Sequence, residues 1–436
     1  MTQFSQRQLE QQRMYNQYIQ SGDMDKALAY LDQVLSEFPT SELRSVRPSC
    51  LKAVGRYAEA CREAEALLTT EMSTLKRINL WDVLAEACAL TNRLEEAADY
   101  GRLSLQAKSE LPPTAMVQAL PETVQMSSKP ERSGAWVIAF SLYGDEPRYG
   151  EGAVLNVVEA KKWLPDWVCR FYCDSSVPSS VIVRLLDAGA QVHFVNSTCQ
   201  KKLAGTFWRM LVVDDPTVER FLQRDADSII SVRVALAVNE WVQSERFFHT
   251  MRDWWSHSEL LLAGMWGGCT VALSGMGRLI RDFLTQHPHW VDARTVDQLF
   301  LRTSVWPTVR QSLISHDDYF GFDNAKPFPA HGAIWQGVFR NFHVGMNTAS
   351  CPLEVPSNLA DGMRVHWMIR DGEREICRYS SVVRHGLWRT ALPQQYFRPL
   401  VDKVWHVYPQ DNPSAPYALR KPREVTATTR LVIGKK

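Results

Sequence analysis

Residues 218–228 read VERFLQRDADS, a short apolar run that ends on two aspartates one residue apart. The run up to Arg224 has the length and apolar content of a buried strand. We therefore expect Asp225 and Asp227 to lie on an extended turn directly after a strand. Two carboxylates in this arrangement can face one hard divalent cation, because Mg²⁺ and Mn²⁺ prefer oxygen ligands. The alternative is a solvated turn in which Asp227 or Ser228 caps the next segment.

Strand and helix patterns alternate around this motif. Apolar runs predict strands at 135–144, 167–174 and 191–196, and helical spacing predicts helices at 151–164, 178–190 and 205–215. This alternation indicates an α/β fold with a mostly parallel, Rossmann-like sheet. Ligands of such sheets bind outside the carboxyl ends of the strands. Four residues at the ends of the first two strands therefore share an edge with the aspartates: Ser141, Leu142, Tyr143 and Asp174.

The first hundred residues contain three segments that align with one another. They are GDMDKALAYLDQVL from Gly22, GRYAEACREAEALL from Gly55 and NRLEEAADYGRLSL from Asn92. Each opens with a residue that tolerates a left-handed turn and has alanine five positions further on. The segments resemble tetratricopeptide repeats, which are about 34 residues long. The resemblance implies a curved surface for a protein partner or for self-association, and the alternative is an unrelated helical bundle.

The composition divides the chain into four parts. Residues 111–134 are rich in Pro, Ser and Thr and have no apolar period, which is typical of a linker. We expect an all-α, tetratricopeptide-like domain at 1–112, a linker at 113–134, a catalytic domain at 135–350 and a C-terminal extension at 351–436 that could pack on it. Asp371-Gly372 predicts a hairpin within the extension.

The charge balance and the cysteine pattern exclude some classes of protein. The 49 Lys and Arg residues match 48 Asp and Glu residues, so no overall charge favours nucleic acid or an anionic membrane. The nine cysteines include no Cys-x-x-Cys pair, which fits reduced thiols in a cytosol better than a disulfide framework. The first residues are polar, and Gly, Thr and Ser interrupt the longest apolar stretch. We therefore expect a cytoplasmic protein without a signal peptide or a membrane span.

Several motifs follow one another along the middle of the chain: FSLYGD, CRFYCDSSVP, FWRMLVVDDP, RFLQRDADS, MRDWWSHSELLLAGMWGG, DQLFL and HDDYF. As a set, over residues 135–345, they resemble a group of bacterial and viral GT-A-type glycosyltransferases. The resemblance implies a GT-A-like fold that transfers a sugar from a UDP- or GDP-sugar donor to an acceptor hydroxyl with the help of Mn²⁺ or Mg²⁺. Ile229 departs from the pattern, at a position where a basic residue is expected.

The resemblance also implies roles on the donor side. Asp225 and Asp227 would hold the metal at the diphosphate, with His316 as the third ligand and Asp317 as its rival. Arg224 would contact the phosphates. The nucleotide would lie along the strand ends, at Ser141, Leu142, Tyr143 and Asp174.

On the acceptor side, the stretch after residue 250 would line the sugar site. Its candidate residues are Arg252, Trp254, His257, Trp266 and Gly267. A carboxylate could take the proton from the attacking hydroxyl. We favour Asp297 over Asp253, because a carboxylate at the start of a helix is held rigidly. The sequence leaves retention and inversion open.

Two other functions fit parts of the sequence. A nucleotidyltransferase shares the sheet and the metal site, but SLYGDEPRYGEG after the first strand lacks the glycine-rich Arg and Lys loop of that class. A non-catalytic scaffold would use the repeats alone, and an intact Asp-x-Asp motif argues against it. The acceptor stays open between a glycan, a lipid-linked sugar, a protein and a modified nucleic acid.

Overall fold

A computed structural model describes residues 13–15, 17–19, 23–37, 41–122, 127–195, 203–288, 295–330, 342–409 and 416–417. Along the chain these residues form a layer of helices, a mixed α/β unit and a second sheet. None of the helices within these ranges is both long enough and apolar enough to cross a membrane.

The N-terminal layer consists of helices that each pack against the next helix along the chain. Its helices are α1 (Met24–Glu37), α2 (Ser41–Ala53), α3 (Tyr57–Leu68), α4 (Thr74–Leu90) and α5 (Leu94–Ser109). Gly55 and Asn92 have φ angles of +80° and +65°, so the left-handed turns predicted for the second and third segments are confirmed. Gly22 lies outside the described residues. The alanines at the fifth position after each turn residue are all buried between helices: Ala27, Ala60 and Ala97.

The central sheet has seven strands in the order β3-β2-β1-β4-β6-β5-β7. The strands are β1 (Trp136–Leu142), β2 (Val168–Cys173), β3 (Gln191–Phe194), β4 (Arg220–Arg224), β5 (Phe248–Arg252), β6 (Met265–Cys269) and β7 (Leu313–Asp317). Only β6 runs antiparallel to its neighbours in this sheet. The prediction of an α/β fold with a mostly parallel sheet is therefore confirmed. All strands except β6 place their carboxyl ends at one edge, which is the edge where ligands bind in such sheets.

Helices pack against this sheet, and its first strand, WVIAFSL, is accordingly a nearly continuous apolar run. They are α6 (Pro147–Trp163), α7 (Ser179–Asp187), α8 (Val232–Val242), α9 (Met276–Gln286), α10 (Val296–Phe300) and α11 (Trp306–Val309). The helix predicted at 205–215 is present as a 3₁₀ helix over Gly205–Asp214.

The C-terminal residues form an antiparallel sheet in the order β12-β9-β10-β11-β8. Its elements are β8 (Cys351–Pro356), β9 (Arg364–Asp371), β10 (Arg374–Arg384), β11 (Leu387–Leu392), α12 (Gln394–Val401) and β12 (Trp405–Pro409). Asp371 pairs with Arg374, and Gly372 between them has a φ of +60°, so the predicted hairpin is confirmed.

A buried carboxylate on α6 joins this second sheet to the first. Glu151 accepts two hydrogen bonds of 2.7 Å from Arg184 on α7. It also accepts the hydroxyl hydrogen bonds of Tyr379 (2.7 Å) and Tyr396 (2.5 Å), which belong to the C-terminal unit. The four bonds satisfy a carboxylate that has no contact with water.

The segment predicted to be a linker hydrogen-bonds to the α/β unit. The Thr114 backbone N–H donates to the Thr303 carbonyl (2.9 Å), and the Gln118 backbone N–H donates to Thr308 Oγ1 (3.0 Å). The Gln118 side chain also exchanges hydrogen bonds with the Ser274 backbone. These partners satisfy backbone groups that lie outside any helix or strand. Residues 114–118 are consequently packed on the α/β unit.

Candidate active site

The Asp-x-Asp motif lies where the sequence predicts it, on the turn directly after β4. The Ser228 N–H donates to the Asp225 carbonyl (3.2 Å) and closes the turn. The Thr348 N–H donates to the Asp227 carbonyl (3.0 Å), so a segment from late in the chain supports the motif. The Asp225 side chain is 43% exposed, whereas Asp227 is buried.

Two glycines let other parts of the backbone approach this turn. A Cβ at Gly152 on α6 would overlap the Ala226 carbonyl, which also accepts a hydrogen bond from Asn156 Nδ2 (3.1 Å). A Cβ at Gly264 would overlap Asp225 Oδ2. The backbone therefore approaches the motif closely from two sides, at Gly152 and at Gly264.

Arg209, on the 3₁₀ helix, joins the two carboxylates that the sequence assigns to different roles. Its Nη1 lies 2.5 Å from Asp225 Oδ1, and its Nη2 lies 3.4 Å from Asp297 Oδ2. Its backbone N–H donates to Ser141 Oγ (3.0 Å) at the end of β1. The structure thus brings Asp225 and Asp297 to one buried guanidinium, and Ser141 to the backbone of the same arginine.

Burial sets the electrostatics of this cluster. It raises the pKa of Asp297, and the charge of Asp225 raises it further, while Arg209 lowers it. Burial also disfavours the charged form of Arg209, but Asp225 and Asp297 outweigh this effect and its pKa is raised. Asp297 is therefore a carboxylate whose ionised form depends on one arginine.

The donor-side predictions divide into partly exposed and buried residues. Tyr143 is 44% exposed, and its ring packs edge-on against Trp208 at 5.5 Å. Asp174 caps the turn after β2 by accepting from the Ser176 N–H (3.0 Å). Leu142 is buried in the core, so its side chain faces away from the ligand edge.

Arg224 does not reach toward a ligand. Its Nη1 donates to the Gly264 carbonyl (3.0 Å), and its Nη2 donates to Ser228 Oγ (3.1 Å). Burial lowers its pKa to about 10. These bonds direct Arg224 to the turn that carries the aspartates. Arg224 therefore does not make the predicted phosphate contact.

Three predicted sugar-binding residues belong to the interior of the sheet. Arg252 donates to the carbonyls of Glu259 (2.9 Å) and Leu260 (2.8 Å). Trp266 is buried and donates to Gln223 Oε1 (3.1 Å), and a Cβ at Gly267 would overlap the neighbouring strand β4. β5 and β6 are buried along their whole length, so these residues pack the sheet and do not line a cleft.

Trp254 and His257 lie at the edge of the sheet after β5. The Trp254 ring is partly exposed and stacks on His343, with centroids 4.7 Å apart and planes 11° apart. His257 packs edge-on against the ring of His343, with centroids 5.3 Å apart. Its pKa is lowered well below the ordinary value by burial and by His343, so it is neutral at pH 7. Sequence reasoning missed His343, because no local pattern pairs its segment with the stretch after β5.

Asp253 is held by other residues. Its carboxylate accepts from Arg233 Nε (2.8 Å) and Nη2 (2.6 Å), and from the Val344 N–H (2.8 Å). Burial raises its pKa, and Arg233 opposes this shift. These bonds hold the segment around Val344 beside β5. The Asp253 carboxylate therefore has a structural role in this protein.

His316 is not brought to the Asp-x-Asp motif. Its Nδ1 lies 2.8 Å from His249 Nε2, and its Nε2 lies 3.2 Å from Glu240 Oε2 on α8. Asp317 caps the following turn by accepting from the Tyr319 N–H (2.8 Å). Both residues lie on β7, and β6 and β5 separate this strand from β4 in the sheet.

Across the described ranges, one group of three potential ligand residues is close enough to share a cation. This group does not include Asp225 or Asp227. It consists of Glu65, Cys88 and Glu96 in the helical layer. The predicted third ligand therefore has no counterpart in the geometry around Asp225 and Asp227.

No family model matches the chain, and no curated protein matches it. Solved structures that are similar to it include a glucosyl-3-phosphoglycerate synthase and a mannosyltransferase. One is glucosyl-3-phosphoglycerate synthase from Mycobacterium tuberculosis with phosphoglyceric acid, at 12% identity and a TM-score of 0.26, over 51% of this chain and 82% of that one. The same enzyme with Mn²⁺ and UDP-glucose covers 51% and 81%, at 12% identity and a TM-score of 0.25.

A third similar structure is the mannosyltransferase PcManGT from Pyrobaculum calidifontis with GDP-mannose and Mn²⁺. Its identity is 12% and its TM-score 0.30, over 55% of this chain and 67% of that one. TM-scores of 0.25 to 0.30 indicate only a low structural similarity. The function of this chain is therefore inferred from its own residues.

Proposed function

We propose that the protein is a metal-dependent glycosyltransferase that moves a sugar from a UDP- or GDP-sugar to an acceptor hydroxyl. The observation that carries this proposal is the enclosed Asp-x-Asp turn at the carboxyl edge of the sheet, joined by Arg209 to Asp297 and to the end of β1. Donor groups for a cation, a cationic side chain and a buried carboxylate meet at the edge where α/β sheets bind ligands.

On the donor side, Asp225 and Asp227 are the residues that would hold Mn²⁺ or Mg²⁺. Their donor atoms are carboxylate oxygens, which suit both ions, and the glycine-lined turn gives them a fixed position. A bound divalent cation supplies charge neutralisation for a departing diphosphate. Arg209 offers a second positive charge at the same place. The partly exposed ring of Tyr143 is placed to contact the nucleotide base.

On the acceptor side, Asp297 is the proposed base. The proton of the acceptor hydroxyl passes to an Asp297 carboxylate oxygen as the hydroxyl oxygen bonds to the anomeric carbon. The bond from that carbon to the diphosphate breaks, and its electron pair leaves with the diphosphate. A single displacement of this kind inverts the configuration of the anomeric carbon. A carboxylate whose pKa is raised by burial accepts a proton more readily than an exposed one.

The helical layer is proposed to bind a protein partner or a second copy of the chain. The support for this is the repetition of buried alanines and left-handed turns over α1 to α5, as in the tetratricopeptide repeats that the sequence resembles. No observation favours the nucleotidyltransferase or the non-catalytic scaffold over the transferase.

Titration calorimetry with UDP and GDP tests the metal role. We expect tighter nucleotide binding with Mn²⁺ than with chelator, and we expect Asp227→Asn to remove that difference while the melting temperature stays within a few degrees. Asp282→Asn, an exposed residue of α9, serves as the control and should keep the difference. Equal affinities with and without Mn²⁺ in the unmodified protein would overturn the proposal.

A further inference from the structure

A lysine is completely buried where the helical layer meets the α/β unit. Lys108 Nζ, near the end of α5, lies 2.9 Å from both carboxylate oxygens of Asp82 on α4. It also donates to the Ser258 carbonyl (2.5 Å) and lies 3.1 Å from Glu259 Oε1. One ammonium group therefore binds two helices of the N-terminal layer to the loop between β5 and β6.

The partners of Lys108 are themselves bound across the same junction. Asp82 accepts from the hydroxyls of Ser104 (2.5 Å) and Ser258 (2.6 Å). Glu259 accepts from Arg302 Nε (3.2 Å). Burial of an ammonium is costly unless its partners and their geometry are well matched. A network of this kind consequently specifies one arrangement of the loop against the helices.

The loop, residues 253–264, has one of its ends at the candidate active site. It begins at Asp253 and ends at Gly264, whose backbone lies against Asp225 and accepts from Arg224. In its middle, the carbonyl of Glu259 is bound by Arg252. A shift of the loop would therefore move the backbone that encloses the Asp-x-Asp turn.

Apolar contacts seat the same loop on the helices. Trp255 packs against both the core of the helical layer and the core of the sheet. Its ring lies edge-on to Tyr319, with centroids 4.6 Å apart. Phe320 fits against Gly101 on α5, where a Cβ would overlap its ring. The polar network and these contacts act on one loop from one side.

We propose that Lys108 is a positioning residue: it fixes residues 253–264 and thereby makes the helical layer part of the catalytic unit. The effect on turnover rests on the proposed function, whereas the effect on the loop does not. A misplacement of about 1 Å in the support of an active site can lower the rate about a hundredfold.

The test compares Lys108→Met with Arg102→Met in the full-length protein. Arg102 is the control because it lies on the same helix in an exposed ion pair with Asp99. We expect Lys108→Met to speed amide hydrogen exchange in peptides from residues 253–264 at least tenfold, with β1 and β4 peptides unchanged. The turnover of donor hydrolysis should fall about tenfold to a hundredfold. The Mn²⁺-dependent part of nucleotide affinity should fall as well, because the loop encloses the Asp-x-Asp turn.

Asp82→Asn is the second variant, because it keeps the side-chain volume and weakens the same network if Lys108→Met does not fold. Unchanged exchange in 253–264 in the folded variant, or faster exchange spread evenly over all peptides, would overturn the proposal. An unmodified protein that neither binds nucleotide with Mn²⁺ nor hydrolyses any donor would instead overturn the proposed function, and the exchange result would still decide the role of Lys108.

Discussion

At the scale of single residues, Arg209 decides the charge balance of the candidate site. It is the cation that contacts both Asp225 and Asp297, and it lies in the apolar run FWRMLVV. A charged residue inside such a run must find a partner when the run is buried. Sequence reasoning missed Arg209, and this rule is the signal that could have found it, although the rule does not name the partners.

Asp297→Asn should separate chemistry from binding. Loss of a general base lowers turnover by about 10²–10⁴-fold. Nucleotide affinity should stay unchanged, because the metal-binding carboxylates are intact. Steady-state kinetics with a competent acceptor and calorimetry with UDP or GDP measure the two effects. Asp253→Asn is the comparison, since Arg233 already occupies that carboxylate. Wild-type turnover in Asp297→Asn would transfer the role to Asp253.

The raised pKa of Asp297 gives this prediction a pH dependence. Only the ionised carboxylate accepts a proton, so turnover should fall as the pH is lowered through a pKa above the ordinary aspartate value of 3.8. Arg209→Met should move that fall to higher pH, because Arg209 lowers the pKa. A profile of kcat/KM against pH that is identical in both proteins would contradict the assignment.

The same shift has a consequence for stability. A folded-state pKa above the unfolded value means that the folded protein holds this proton more tightly. The stabilisation is therefore present at low pH and is lost as the pH rises through the folded pKa. Asp297→Asn does not undergo that loss. We expect its free energy of unfolding, relative to the unmodified protein, to increase between acid and neutral pH, as measured by urea denaturation.

At the scale of elements, the backbone at Gly264, just before β6, closely approaches Asp225, just after β4. Gly264→Ala would place a Cβ on Asp225 Oδ2, so the aspartate or the strand must move. We expect the Mn²⁺-dependent part of nucleotide affinity to fall at least tenfold. Gly277→Ala on α9 is the control, because a Cβ there meets only ordinary contacts of 3.4 Å or more. Calorimetry that gives equal affinities for the two variants would contradict this interpretation of the turn.

The attachment of the second sheet also depends on one side chain. Glu151→Ala removes the acceptor of four hydrogen bonds and leaves Arg184 beside two buried tyrosine hydroxyls. Breaking a buried ion pair by removing one partner costs about 3–5 kcal/mol. We expect the free energy of unfolding to fall by that amount in urea denaturation. Glu354→Ala, which breaks the exposed pair with Arg389, should change it by less than about 1 kcal/mol.

Elements were the scale at which the sequence was most informative. Apolar runs and turn residues predicted β1 to β4, the turns at Gly55 and Asn92, and the position of Asp225, since each depends on neighbours in the chain. The positions of His316 and Trp266 relative to the candidate site depend instead on how the strands pair. β6 enters the sheet antiparallel between β4 and β5, which buries Trp266 and leaves two strands between β4 and the strand that carries His316. No local pattern specifies that insertion.

At the scale of the whole molecule, the helical layer and the α/β unit share buried surface. Leu105 and Ala85 from the helices belong to the same core as the sheet strands. Removal of residues 1–132 would uncover Trp255 and Phe320 and leave Glu259 without its ammonium partner. The linker-like composition of residues 113–134 on its own indicates few contacts across it, and a chain starting at Ser133 would then fold by itself. The contacts of Trp255, Phe320 and Glu259 contradict that expectation.

We now expect that chain, residues 133–436, to be insoluble or to lack a cooperative unfolding transition. An exposed apolar face of this kind favours aggregation. Co-expression with residues 1–112 as a separate chain should restore a soluble complex, because the junction is made by side chains of α4 and α5. Size-exclusion chromatography and thermal denaturation measure both outcomes. A soluble, cooperatively folded 133–436 chain would show that the contacts of Lys108 and Trp255 are dispensable, and the helical layer would then be a separable partner-binding domain.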